Sequence, residues 1–394
     1  MADQIPLSSN YDLPPVLPPR PLQQSSLQPP TFPVPPRRKG FELGEDASSP
    51  IIYIRDPHKL TAYLVPFPRP VIPTSILHET NASNIPDRFL IYTPPAPPLV
   101  APRDGEMEDR MHKLQRKWQQ EVREAKTSDA KVTSWKGVKG RATKGINTAM
   151  GWTTTSSLDF LNRVPGDKLP KDRSTSPDEG AELTRKTVGL EEMILIYPDS
   201  IPGDESQIRQ EFVNSMLRSK TKAQKDAVIA TGLIPVSFAI DVLATLVWPF
   251  GGLLEIDSVW AYSSIRGAKT ARSVTKRLHS SSPSNTEHND HTLKLSFAPS
   301  PRLDVLRRYL AAECHARDPQ LFGSEGPSPT ESEVLEALGW NPSQTRGETR
   351  NWEDEQWEVS EVKDDLRQTM GKGAKEWDKW CKVFQKDPEK ALKR

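Results

Sequence analysis

The chain has 394 residues, 38 of them proline, with 35% hydrophobic side chains and a mean hydropathy of -0.62, which is too polar for all of it to sit in packed domains. Its 53 basic and 52 acidic residues leave a net charge of +1, excluding the whole-chain positive field of a nucleic-acid binder. Cys314 and Cys381 stand far apart without ligand-type neighbours, which suggests neither a disulfide framework nor a zinc site and fits a reducing compartment.

Residues 1–86 are punctuated by proline and lack periodic hydrophobicity, so a disordered, polyproline-rich tail is expected. The start carries neither a secretory apolar core nor an Arg-rich amphipathic presequence, so targeting by an internal signal, or by none, is expected. Two stretches of the tail, Pro15, Pro18 with Arg20 and Pro33, Pro36 with Arg38, read PxxP followed by arginine. SH3-type grooves accept that pattern because polyproline is already extended. The plain alternative is a solvated linker.

The apolar run Phe89–Tyr92, stopped by prolines, predicts a strand, and Met193–Tyr197 repeats its texture as a candidate neighbour in a small sheet. Between them, Met107, Met111, Leu114, Trp118 and Val122 recur at helical spacing. A second periodic stretch, with Trp135, Val138, Ala142, Ile146 and Ala149, carries lysines and arginine without acids and reads as a membrane-surface helix. Asp204 or Ser206 caps a further helix in which Ile208, Phe212 and Met216 share a face.

The most distinctive feature is Ala227 to Leu254, 28 residues with a single charge, Asp241, and fourteen Leu, Ile, Val or Phe side chains. As one helix it would extend about 42 Å, against roughly 30 Å of hydrocarbon. Pro235, Pro249, Gly251 and Gly252 interrupt it, which leaves a single span and a re-entrant hairpin both open. Basic residues flank it, Lys222 and Lys225 before and Arg266, Lys269, Arg272 and Lys276 after, the latter on an amphipathic helix over 258–278. Glu255 and Asp257 stand closest to its end. Asp241 reads either as an ion-path group or as the cap of a short helix at a bend. The soluble alternative makes this segment an ordinary buried helix pair.

A Ser-rich linker over 279–300 holds His288 and His291, whose spacing suits a metal on a helix turn but arises easily by chance. Residues 301–394 read as helices: Leu303, Leu306 and Leu310 on one, a capping box at Thr330 and Glu333 on the next, and Val362, Leu366, Met370, Trp377, Cys381 and Phe384 on the last. No zincin, nucleophile-elbow or kinase motif is present. The nearest phosphate loop, Gly140 to Gly145, lacks the Lys-Ser/Thr pair. A non-enzymatic chain without cofactor or metal is expected.

Together, Arg88 to Pro95, Trp118, Trp152 to Pro165, Ile194 to Pro198 and Pro235 to Leu254 resemble the mitochondrial potassium/proton exchange-related family over roughly residues 87–278. The resemblance implies a protein of the mitochondrial inner membrane that takes part in exchanging potassium for protons. It implies lipid contact and a homo-oligomer or other exchanger subunits, since one apolar segment cannot line an ion path alone. The fold expected is α+β and mostly helical, with a long apolar membrane-associated helical segment and a disordered Pro-rich tail. Its divisions are 1–86, 87–278, 279–300 and 301–394. The competing function is a membrane-peripheral adaptor presenting its PxxP motifs and helices to protein partners.

Overall fold

The computed structural model describes residues 53, 55–56, 58–71, 85–99, 110–127, 154–165, 190–244, 253–280, 293–343 and 352–392. Four strands form one mixed sheet in the order β2-β1-β3-β4, with β1 Lys59–Pro66, β2 Phe89–Tyr92, β3 Glu192–Tyr197 and β4 Lys294–Pro299. Strand β2 runs antiparallel to β1, whereas β1, β3 and β4 are mutually parallel. Parallel neighbours need long crossovers, and helices supply them. The described helices are α1 Arg110–Thr127, α2 Ser156–Arg163, α3 Glu205–Ala244, α4 Leu253–Ser280, α5 Asp304–Arg317, α6 Glu331–Ala337, α7 Trp352–Lys386 and α8 Pro388–Leu392.

Alternation along the strands sends side chains to two separate cores. On one face Tyr63, Val65, Leu90, Tyr92, Ile194 and Ile196 meet α5, α6, α7 and α8. Phe67, Trp377, Trp380 and Phe384 stack in series there, with centroids 4.9 to 5.1 Å apart. On the other face Ala62, Leu64, Phe89, Ile91, Met193 and Leu195 meet α2 and the near halves of α3 and α4. Close approaches need glycine at two contacts: a Cβ on Gly267 would lie 2.2 Å from Leu158 Cδ1, and one on Gly373 would lie 2.1 Å from Leu90 Cδ1. Polar clips at the β2 edge join the two helical layers. Arg163 donates to the Thr93 carbonyl and the Asp365 carboxylate, and Lys372 donates to Asp159 at 2.6 Å and Thr154 at 2.8 Å.

Three expectations are corrected. The central strand β1 falls inside the segment read as a disordered tail. Its eight residues were hidden by proline-rich surroundings, yet five of them are buried and pair on both sides. Strand β4 falls inside the expected linker, paired with β3 from Lys294 to Pro299. The run Ala227 to Leu254 is not one long apolar membrane helix. It is divided between α3 and α4, and among the described residues no helix is long and apolar enough to cross a membrane. The physical reason is length and polarity: the apolar part of α3 begins only in the middle of that helix, and α4 turns polar within a few turns. The PxxP motifs, the helix expected over 131–149 and the His288/His291 pair lie outside the described residues.

Glu192 ties three strands together. It lies in register with Lys59 on one neighbour and Lys294 on the other, pairs with them at 3.2 and 3.0 Å, and accepts a 2.7 Å hydrogen bond from Ser296. Burial alone would raise its pKa, but these donors outweigh it and hold the carboxyl at about 2. Because the folded value lies below the unfolded one, this stabilisation is complete above about pH 5 and fades as pH falls toward 2. Glu192→Gln is expected to lower stability at neutral pH by on the order of 1–3 kcal/mol and to flatten the acid limb. Urea midpoints of both proteins between pH 6 and 3 check this.

Candidate functional site

The most unusual surface is the far half of the α3–α4 hairpin. The near half obeys ordinary globular logic. Ile208, Phe212 and Met216 of α3, with Ala271, Val274 and Leu278 of α4, are buried against the sheet. The start of α3 is fixed by Asp204, whose carboxylate accepts from the Gln207 backbone N–H at 2.9 Å.

Beyond Lys222 the pattern inverts. The buried row of α3 becomes Ala223, Ala230 and Ser237, one every seven residues. On α4 the small buried positions of this half are Ala261 and Ser264. Ser237 donates to the Asp257 carboxylate across the seam. The large apolar side chains point outward instead: Val228, Ile229, Leu233, Val236, Phe238, Ile240 and Val242 on α3, with Tyr262 and Ile265 on α4. Val228 is 74% exposed and Phe238 56%. Of the fourteen exposed large apolar side chains among the described residues, nine lie on this stretch, so they form a surface and are not ordinary scatter.

A helix pair in water buries its apolar stripe and exposes its polar face. This pair does the reverse, placing alanine, serine and an aspartate between the helices and isoleucine, valine and phenylalanine outside. Such small and polar seams suit helix pairing where the surrounding medium is itself apolar, because close backbone approach and hydrogen bonding then replace hydrophobic burial. The hydroxyl of Ser264 and the indole N–H of Trp260 are buried near the seam without a hydrogen-bond partner.

The Ser237 to Asp257 contact also fixes which residues lie level on the two antiparallel helices. At equal rise per residue, Lys225 falls level with Lys269 and Lys222 with Arg272. A basic belt therefore rings the hairpin where its apolar half begins. Lys225, Lys269 and Arg272 are exposed, Arg266 is half-buried and level with Val228, and Lys222 reaches toward Glu376 at 3.8 Å. Asp226 sits half-buried in the same belt, its carboxyl pushed up by burial against the pull of Lys222. From Val228 to Ala244 the apolar half of α3 measures about 25 Å.

The sequence-predicted residues divide accordingly. Lys222, Lys225, Arg266, Lys269 and Arg272 come together in the belt, whereas Lys276 lies lower on α4, beside the packed half, and has partners. Pro235 sits inside continuous α3, where its missing N–H leaves the Thr231 carbonyl without its usual acceptor role. Asp257 holds the seam and faces Ser237. Asp241 is on α3 and Glu255 on α4, with side chains outside the described residues, as are Pro249, Gly251 and Gly252. Sequence periodicity missed the seam, since alanine and serine do not register as apolar positions. The seven-residue spacing of Ala223, Ala230 and Ser237 was the available signal.

The inversion separates two kinds of phenylalanine. Phe212→Ala is expected to cost about 3–5 kcal/mol, as for a fully buried aromatic, while Phe238→Ser should leave stability in detergent-free buffer within about 0.5 kcal/mol. Chemical denaturation of the two variants checks the contrast. No family model, curated protein or solved structure matches the chain.

Proposed function

We propose that the protein is a non-catalytic, membrane-docked component or regulator of mitochondrial potassium/proton exchange, holding its α+β body beside a lipid surface through the far half of the α3–α4 hairpin. The observation that carries the membrane half of this reading is the inverted burial of that hairpin. Its outward apolar face suits acyl chains, and its basic belt suits anionic headgroups, each lysine or arginine contributing about 1 kcal/mol near such a surface. A reach of about 25 Å on α3 is enough to enter a leaflet and short of the roughly 30 Å core. Both helices return to the same body, so docking takes place from one side. The exchange half of the reading rests on the resemblance of residues 87–278 to the exchange-related family. Ion movement itself would belong to an assembly, because a single hairpin offers no enclosed path.

Flotation of the full chain with phosphatidylcholine vesicles, with and without phosphatidylglycerol, tests the docking. Binding is expected with the anionic vesicles and should weaken with salt. Paired Val236→Ser and Phe238→Ser changes should abolish it, and Lys225→Glu with Lys269→Glu should reduce it at least tenfold. A chain that stays unbound, or that instead covers this face by dimerising in solution, would overturn the docking. Unchanged potassium-driven swelling of mitochondria lacking the protein would overturn the role in exchange while leaving the docking intact.

A further inference from the structure

A cleft of about 420 Å³ opens at the opposite end of α3 from the inverted hairpin, between the ends of β1 and β2 and the first turns of that helix. Phe67, Phe89, Ile201 and Ile208 give it apolar walls, and five charged residues line it: Arg69, Asp87, Arg88, Glu211 and Arg307. Four of these five are already neutralised. Arg69 pairs with Asp87 at 3.1 Å, Glu211 accepts from Arg218, and Arg307 pairs with Asp304 at 2.6 Å and also with Glu325.

Arg88 is the exception. It forms no ion pair with any described carboxylate, its Nε is buried without a hydrogen-bond partner, and its guanidinium lies 4.5 Å from the ring centre of Trp380. Burial, reinforced by the nearby charge of Arg218 and only partly offset by that of Glu211, brings its pKa down to about 10, so it remains cationic at neutral pH. A half-buried cation with no carboxylate in contact and one N–H unpaired is costly, and the usual remedy is an anion in contact with it. The volume falls in the range of small-molecule sites, which combine apolar walls with a few placed polar groups.

We propose that this cleft binds a small organic monoanion, a carboxylate carried on an apolar body, with Arg88 as its counter-ion. With the other four lining charges engaged in ion pairs, Arg88 alone offers a positive charge to a ligand, and Asp87 and Glu211 in the lining disfavour a dianion such as phosphate. The guanidinium offers the planar donor fork that a carboxylate accepts, and Trp380 beneath it keeps the plane in place. This inference uses no part of the far half of the hairpin and is independent of the exchange reading.

Octanoate and octanamide, titrated into the full chain and followed calorimetrically, test it. Saturable octanoate binding is expected, at least tenfold tighter than octanamide, with inorganic phosphate binding more weakly than octanoate. Arg88→Met should remove the preference for the acid. Ser200→Trp, introduced from an exposed position at the rim, should block binding without disturbing the fold and carries the test should Arg88→Met fail to fold. Equal affinity for acid and amide, tighter binding of phosphate, absence of saturation, or octanoate affinity unchanged by Ser200→Trp would each overturn the proposal.

Discussion

The small side chains at the seam of α3 and α4 set the character of the molecule. Alanine and serine let two helix backbones come close, but they bury little apolar area, at about 25 cal/mol per Å². The near half of the hairpin does not depend on the seam, because Phe212, Met216, Val274 and Leu278 anchor it to the sheet. Among the described residues, the far half buries Ala223, Ala230 and Ser237 of α3 at the seam, with the Ser237 to Asp257 bond as a polar tie. Its cohesion therefore depends on what surrounds it. In water the outward valines, isoleucines and phenylalanine remain exposed apolar surface, which an apolar surrounding would cover.

The sheet explains how one body can carry such an element. Helices α3 and α4 form the crossover from β3 to β4, so both hairpin ends are fixed by neighbouring parallel strands. Glu192 locks the same strands across β1, β3 and β4 through Lys59, Lys294 and Ser296. Rigid ends allow the rest of the hairpin to be specified by its seam alone. The second core, with its Trp377 and Trp380 stack, lies on the other face of the sheet and leaves the hairpin face free of that packing.

The sequence was most legible where apolar residues cluster or repeat. Phe89–Tyr92 and Met193–Tyr197 are concentrated enough to read as strands, and the Thr330 and Glu333 capping box of α6 forms both of its reciprocal bonds. The buried positions from Val362 to Phe384 on α7 were equally open to view. Strand β1 was obscured by the prolines on either side, although Ala62 to Val65 are fully buried at the centre of the sheet. Strand β4 was obscured by its edge position, where only Ala298 of its six residues is buried. Hydrophobic content exposed the run after Ala227 but not its geometry. Placing Val236 outside and Ser237 inside depends on which neighbour each meets, and that information lies in the pairing of two helices, not in either one. The basic residues were legible individually, and only the level of Ser237 against Asp257 gathers them into a belt.

The most direct test of the account is the depth of the hairpin's outer face in a bilayer. A fluorophore attached through Val236→Cys, in full-length protein mixed with anionic vesicles, would be quenched by brominated acyl chains, while one attached through Ser206→Cys would not. The account predicts that difference, and a Val236 label that stays unquenched and solvent-exposed with vesicles in excess would contradict it.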